Sequence, residues 1–493
     1  MTNENKGDCV YIPLCERSVS VEISNDFTLP DYQQEIRRVL CIEAEPQPPS
    51  SYAGDSSAEF NGTVEIRLTY ISADGTLCTA PLTTDYSFSV PYECDTQGGD
   101  ITALCSVYVD SATARVSAPR RLNMRLRLRP AVRVYSAVPL MLDIDGGEDG
   151  EGIFKRQESC QLAECHSGTS DIIEVTYICP SLKEDQRVVS ADTEVRVDSW
   201  EHRDGAICCR GSVKVTLLCS SDTEGELTSV SGDATFEGEI DAECMSDEQL
   251  CRVWGTAAHS TVTVTEIGAE CNIGVLLFAR WLCRNETEFV SDLYSTERES
   301  ECEIRSYITR APLFCKNINF TVNERIPLES MGIPHSARAV RCFGSARMDS
   351  CSVNGSRPVL SGDMNLTVIY THNGEFLAAE TVIPVKYECD TSVSCAPVVL
   401  DAFARASDFK MRIADGDLLI SAEMTGYAEG MSEVSVSAVE SVSLGEALPK
   451  RSGELIVCYV SSDDTQWSLS KRYRVSPGDI LGDTEKDPFV MIG

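Results

Sequence analysis

Gly62-Thr63-Val64-Glu65-Ile66-Arg67-Leu68-Thr69-Tyr70 decides the fold, because the chain repeats it. It returns as Gly211-Ser212-Val213-Lys214-Val215-Thr216-Leu217 and as Gly362-Asp363-Met364-Asn365-Leu366-Thr367-Val368-Ile369-Tyr370. The copies lie roughly 150 residues apart, about one domain length. Val64, Ile66, Leu68 and Tyr70 alternate with Glu65, Arg67 and Thr69, and period two marks a half-buried strand. A turn follows each copy, at Asp74-Gly75, Gly225 and Asn373-Gly374, where glycine permits the positive φ of a tight hairpin. The return strands end on Tyr92-Glu93-Cys94-Asp95, Ala242-Glu243-Cys244 and Tyr387-Glu388-Cys389-Asp390.

The pattern extends on both sides. Upstream, Val19, Val21, Ile23 and Phe27 alternate in the first copy, and Ile318, Phe320, Val322 and Ile326 in the third. The middle copy keeps its register through Arg187-Val188-Val189. Downstream, Leu122, Met124, Leu126 and Leu128 alternate with Asn123, Arg125 and Arg127. Ile273 to Leu282 and Leu418 to Met424 stand in the same place. Each repeat lacks an amphipathic helix of normal length. The expected class is mainly β, as three tandem sandwich-like or barrel-like domains.

Composition narrows the functions. The chain has 493 residues, 42% of them hydrophobic, with 42 basic and 77 acidic side chains and a net charge of -35. That field repels nucleic acid and anionic lipid and attracts basic partners. Met1 to Asp8 is polar, and the longest apolar run, Gly274 to Leu282, is broken by Arg280 and too short to insert in a membrane as a helix. A cytoplasmic protein is expected. The 23 cysteines include no Cys-x-x-Cys, which removes the strongest zinc and thioredoxin-like readings. Cys94, Cys244 and Cys389 recur in register, followed by Cys105, Cys251 and Cys395. These are either small packing residues or late-oxidising pairs.

No catalytic constellation emerges, and no enzyme, metal or cofactor is expected. The five histidines occupy no shared repeat position, and Cys165-His166 reads as a surface pair. Nucleophile elbow, His-Glu-x-x-His and phosphate-loop motifs are all missing. Asp143 to Gly152 has the look of a calcium loop, but Glu148 occupies the place of its invariant glycine. An acidic glycine-rich linker is expected there. The second boundary falls near Glu297 to Glu303. Seven arginines crowd one hairpin between Arg115 and Arg133. Arg121, Arg125, Arg127 and Arg129 form either a solvated face or a docking patch for an acidic partner or a second copy of the chain.

Leu29-Pro30-Asp31-Tyr32, followed by the glycine-led strand and the Asp74-Gly75 hairpin, resembles the SPOCS domain of spore coat and stage VID sporulation proteins and of SipL. Tyr459-Val460 with Asp464-Thr465-Gln466-Trp467 and Lys471-Arg472-Tyr473 resembles a LysM domain. On that likeness, Asp464-Thr465 caps a helix, Trp467 and Leu469 anchor it, Val475 to Ile480 opens a second helix, and Phe489 to Ile492 closes a βααβ unit. Asp463 stands where glycan-binding members have glycine, and Gln466 replaces their leucine, so the unit resembles a degenerate LysM. The implied organisation is SPOCS-like domains at 1–142, 153–300 and 301–450, a linker at 143–152 and a LysM-like α+β domain at 453–493. SipL-like proteins imply a non-enzymatic scaffold of the mother cell. It would be recruited to the forespore surface by the stage IV sporulation protein A-type ATPase of the coat basement layer, or by other coat proteins or itself. Tyr459, Asp464, Thr465, Trp467, Lys471 and Tyr473 are the implied contacts. Binding of cortex or cell-wall peptidoglycan is the alternative.

Overall fold

The computed structural model describes the chain except residues 1–8, 95–98, 141, 146–151, 180–185, 222–226, 244, 246–247, 266–267, 450–454, 485–486, 488 and 493. The turn at Gly225, Cys244 and most of the acidic linker therefore lie outside the described residues. Strand accounts for 79% of the structure and helix for 4%, so the protein is mainly β, with a small helix near its C-terminus.

Each repeat packs two antiparallel sheets face to face. In the first, strands Ile36–Pro46, Ser50–Ala53, Ser57–Ser72 and Leu77–Pro91 form one sheet. Cys9–Ser18, Val21–Thr28, Ile101–Ala118 and Arg121–Pro139 form the other. Val64, Ile66, Leu68 and Tyr70 meet Leu122, Met124, Leu126 and Leu128 across the core. The alternation read from the sequence is the direct cause, since every second side chain of each sheet points inward. The second repeat pairs the sheet of Gln186–Arg203, Ala206–Ser221 and Leu227–Asp241 with the sheet of Ile153–Thr169, Ile173–Cys179, Cys251–Thr265 and Gly268–Ser295. In the third the two sheets join, because Arg338–Asn354 pairs with Val399–Ala414 over a few residues.

Two of the lead glycines, Gly211 and Gly362, have a shared cause, while Gly62 lies against the Tyr86 ring. A Cβ at Gly362 would stand 1.9 Å from the Arg347 carbonyl oxygen, and one at Gly211 2.1 Å from the Arg196 carbonyl oxygen. Opposite them the partner strands bulge, between Met348 and Ser350 and between Val197 and Ser199. The long strand bends there, and only glycine admits the approach. Asn373-Gly374 carries positive φ at both residues, as a type I′ hairpin requires.

Two boundaries differ from expectation. The connection after the second repeat is only Thr296-Glu297, and Arg298 to Glu303 already belongs to a 30-residue strand. Asp143–Asp145, from the expected linker, adds a short parallel strand beside Ser441–Ser443 of the third repeat. The outer strands Gly268–Ser295, Arg298–Pro327 and Asp417–Ala447 run 28, 30 and 31 residues. They exceed what one sandwich needs, and their far halves pack the repeats against one another. Val10 and Val138, Leu162, and Tyr307 and Val436 share one such cluster. Ile71 and Leu77, Val189 and Leu218, and Phe376 share another, near the hairpin ends. A cavity of about 2280 Å³ lies between, walled by all three repeats.

Candidate functional site

The terminal domain is built from strand Ile456–Tyr459, helix Gln466–Tyr473, the 3₁₀ turn Pro477–Asp479, and strands Ile480–Leu481 and Phe489–Ile492. Thr465 caps the helix as its motif requires. Its hydroxyl accepts from the Ser468 amide while the Ser468 hydroxyl accepts from the Thr465 amide. Asp464 accepts from the Ser461 amide and hydroxyl and pairs with Arg472 at 2.7 Å. Leu469 fills the core with Cys458, Val475, Ile480, Val490 and Ile492, and the Tyr473 hydroxyl reaches the Cys458 sulfur at 3.5 Å. The expected second helix is a single 3₁₀ turn, because Ser476 caps Pro477-Gly478 and the chain then extends at Ile480. Asp464, Thr465 and Tyr473 thus serve the domain's own fold.

Trp467 and Lys471 point to the second repeat. The indole Nε1 donates to Asp292 Oδ2 at 2.8 Å, and the Lys471 ammonium pairs with Asp292 Oδ1. Tyr294 meets the Trp467 ring edge-on at 5.0 Å, and its hydroxyl donates to the Val475 carbonyl at 2.7 Å. Arg474 donates to the Arg298 carbonyl. Burial alone would raise the Asp292 pKa, but Lys471 and the indole hold it below the usual carboxylate value. The helix face is therefore committed inside the molecule.

The sheet on the other side of the helix is apolar outward. Val457 pairs with Met491, Tyr459 with Phe489, and Leu481 with Met491. Alternation along the strands sends Cys458, Val490 and Ile492 into the core and Val457, Tyr459, Phe489 and Met491 outward. Tyr459 is 80% exposed, and Leu455, Val457, Leu481, Phe489 and Met491 are exposed with it. Strands apolar on both faces expect cover on both, and here the helix covers only one.

The second site lies where the three repeats meet. Asp401 and Glu429 sit opposite each other on paired strands of the third repeat, 5% and 0% exposed. Arg133 from the first repeat and Arg252 and Arg280 from the second converge on them. Arg252 stands 3.2 Å, Arg280 3.4 Å and Arg133 3.5 Å from Asp401 Oδ2, and Arg133 also donates to Glu429. Ser106 and Tyr108 of the first repeat donate to Asp401 as well. Burial alone would push both carboxyls up, but the guanidiniums of Arg252, Arg133 and Arg280 outweigh it and hold them below their ordinary values. Leu104, Tyr135, Cys165, Leu282, Cys315 and Met431 seal the cluster.

A ring of ion pairs repeats the linkage higher in the cavity. Arg341 of the third repeat forks onto Glu43 of the first, with two bonds of 2.9 Å, and reaches Asp192 of the second at 3.0 Å. Arg67 of the first pairs with Asp192, and Arg196 of the second with Asp408 of the third.

The remaining expectations place as follows. Arg121, Arg125, Arg127 and Arg129 share one exposed sheet face, where Arg127 pairs with Glu22 and Arg129 with Asp110. Cys165-His166 is not a surface pair. Cys165 is buried in the junction, and His166 stacks on Trp281 at 5.6 Å with Glu164 3.3 Å away. Among the described residues the cysteines form no disulfide. Burial pushes Cys105 and Cys251 up to about 12 and Cys389 to about 11, which suits packing residues. Among the described residues no three His, Cys, Asp or Glu side chains cluster to hold a metal, and no helix is long and apolar enough to cross a membrane. Set against known proteins, the chain matches no family model, no curated protein and no solved structure.

Sequence reasoning missed the junction. Cys15, Cys165 and Cys315 recur at 150-residue intervals, and two of them seal the cluster. Asp401 and Glu429 also interrupt otherwise uncharged, mostly apolar runs, Val399 to Ala404 and Thr425 to Met431.

Proposed function

We propose that this chain is a non-enzymatic scaffold that binds another protein through its terminal domain. The partner proposed is the ATPase of the coat basement layer, of the stage IV sporulation protein A type, which would hold the scaffold at the forespore surface. One observation carries this reading: the outward face of the terminal sheet, where Val457, Tyr459, Leu481, Phe489 and Met491 stand exposed together. A patch of that kind, on a unit held to the body by its opposite face, suits an anchoring contact. Exposed Asp463, Asp479 and Asp487 on the same small domain favour a partner with basic side chains around an apolar centre. The site residues shift accordingly. Tyr459 is the implied contact that stays with the partner face, while Trp467 and Lys471 position the domain.

The test sets the full chain against the purified ATPase and against purified peptidoglycan. Saturable binding to the ATPase with no retention on glycan is expected. Retention on glycan with none on the ATPase would reject the proposal.

A further inference from the structure

The three-way junction holds more positive than negative charge. Among the described residues Arg133, Arg252 and Arg280 form ion pairs only with Asp401 and Glu429. The other titratable neighbours do not close the gap: Glu16, which accepts from Tyr135, is taken by Arg310. Burial raises the thiols of Cys105, Cys165 and Cys315 and the phenols of Tyr108 and Tyr427, so all five stay neutral. One whole positive charge remains where Arg252 is fully buried and Arg280 is 5% exposed. An uncompensated charge is among the costliest things a fold can enclose.

The unused donors tell the same story. Arg280 Nε, Arg252 Nη1 and Arg252 Nε donate no hydrogen bond among the described residues, although the last lies 3.6 Å from Glu429. A guanidinium carries five N–H groups and buried ones are normally satisfied. The Tyr427 ring, 3.6 Å from the Arg252 guanidinium carbon, offers a π face but no lone pair. Arg280 lines the central cavity beside Ser106, Tyr108, Asn317 and Tyr427, so a small solute entering the cavity reaches it.

We propose that the floor of the central cavity binds one small monovalent carboxylate, held by Arg280 and bringing the cluster to three charges of each sign. The planar carboxylate fits the guanidinium fork. A dianion would overshoot the balance, and the surrounding walls carry acids already paired to arginines, Glu43 with Arg341 and Asp408 with Arg196 among them. This site is independent of the terminal partner face.

Calorimetric titration of the full chain with sodium acetate, in chloride-free buffer at constant ionic strength, tests it. One saturable site per chain is expected. Arg280→Gln removes both the excess charge and a charge-assisted bond, and should weaken acetate by at least about tenfold. Glu429→Gln raises the excess to two charges and should tighten it, which keeps the test decisive if Arg280→Gln fails to fold. An absence of saturable heat in the unaltered chain would overturn the proposal. Equal acetate affinity in the unaltered chain and folded Arg280→Gln would overturn it too.

Discussion

At the three-way junction five charged side chains are buried among apolar neighbours, whereas on the terminal domain six large apolar side chains stand in water. Each arrangement is wrong for an isolated domain. Asp401 and Glu429 could not remain ionised inside the third repeat without arginines supplied by the first and second. The outward face of the terminal sheet lacks any such cover among the described residues. The difference teaches where the chain is written for company: for its own repeats at the junction and, in the reading proposed above, for another molecule at the tail.

The largest expected effect breaks the junction. Asp401→Ala leaves three arginines facing one carboxylate and strands Ser106 and Tyr108. Removing one member of a buried ionic network costs about 3–5 kcal/mol. Urea denaturation of the full chain should show that loss. A change below about 1 kcal/mol would mean that the cluster does not lock the repeats.

Next comes the latch between the two regions. Asp292→Ala and Trp467→Ala, combined in a double-mutant cycle, should show a coupling of about 1–2 kcal/mol in the docking of the terminal domain. Additive effects would show that the two residues do not act together. Because Asp292 has a lowered pKa, its contribution is full above its ordinary value of 3.8 and fades as pH falls through the lowered one. Terminal-domain release followed by limited proteolysis should track that acid range.

A smaller effect concerns Glu164 and His166. Burial alone would lower the histidine pKa, but Cys283 and Glu164 raise it to about 9, while Glu164 itself falls to about 2. The stability that the histidine contributes is full below its ordinary 6.5 and lost as pH rises through about 9. The stability that the glutamate contributes is full above 4.5 and lost as pH falls through about 2. His166→Gln should therefore cost most stability between those ordinary values and least above pH 9. A pH-independent difference in melting temperature would contradict the pairing.

The smallest effect belongs to the arginine face of the first repeat. Arg121→Gln and Arg125→Gln should change stability by no more than about 0.5 kcal/mol, since both side chains are exposed. A larger loss would make that face part of the packing between regions.

The sandwiches were legible because period two reports a strand's own two faces, and Val64 to Tyr70 needs no distant residue to explain it. The junction was not. Arg133, Arg252 and Arg280 read as ordinary charges in an acidic chain, and their partner Asp401 lies 268, 149 and 121 positions away. The helix cap at Thr465 was legible for the same local reason, with Ser468 three residues on. Nothing in the sequence around Trp467 points to its hydrogen bond with Asp292, because the two lie 175 positions apart. The exposed face had a signal in plain view. Ile456 to Val460 and Phe489 to Ile492 are apolar without alternation, and such runs need two covers.

The most direct test compares the two faces of the terminal domain in one binding measurement against the coat basement ATPase. Tyr459→Ser combined with Met491→Lys should weaken binding at least about tenfold with an unchanged melting temperature, because both side chains are exposed. Asp292→Ala, which loosens only the inward face, should leave affinity within about twofold. The reverse pattern, with binding lost on Asp292→Ala and kept on the sheet-face variant, would contradict the account.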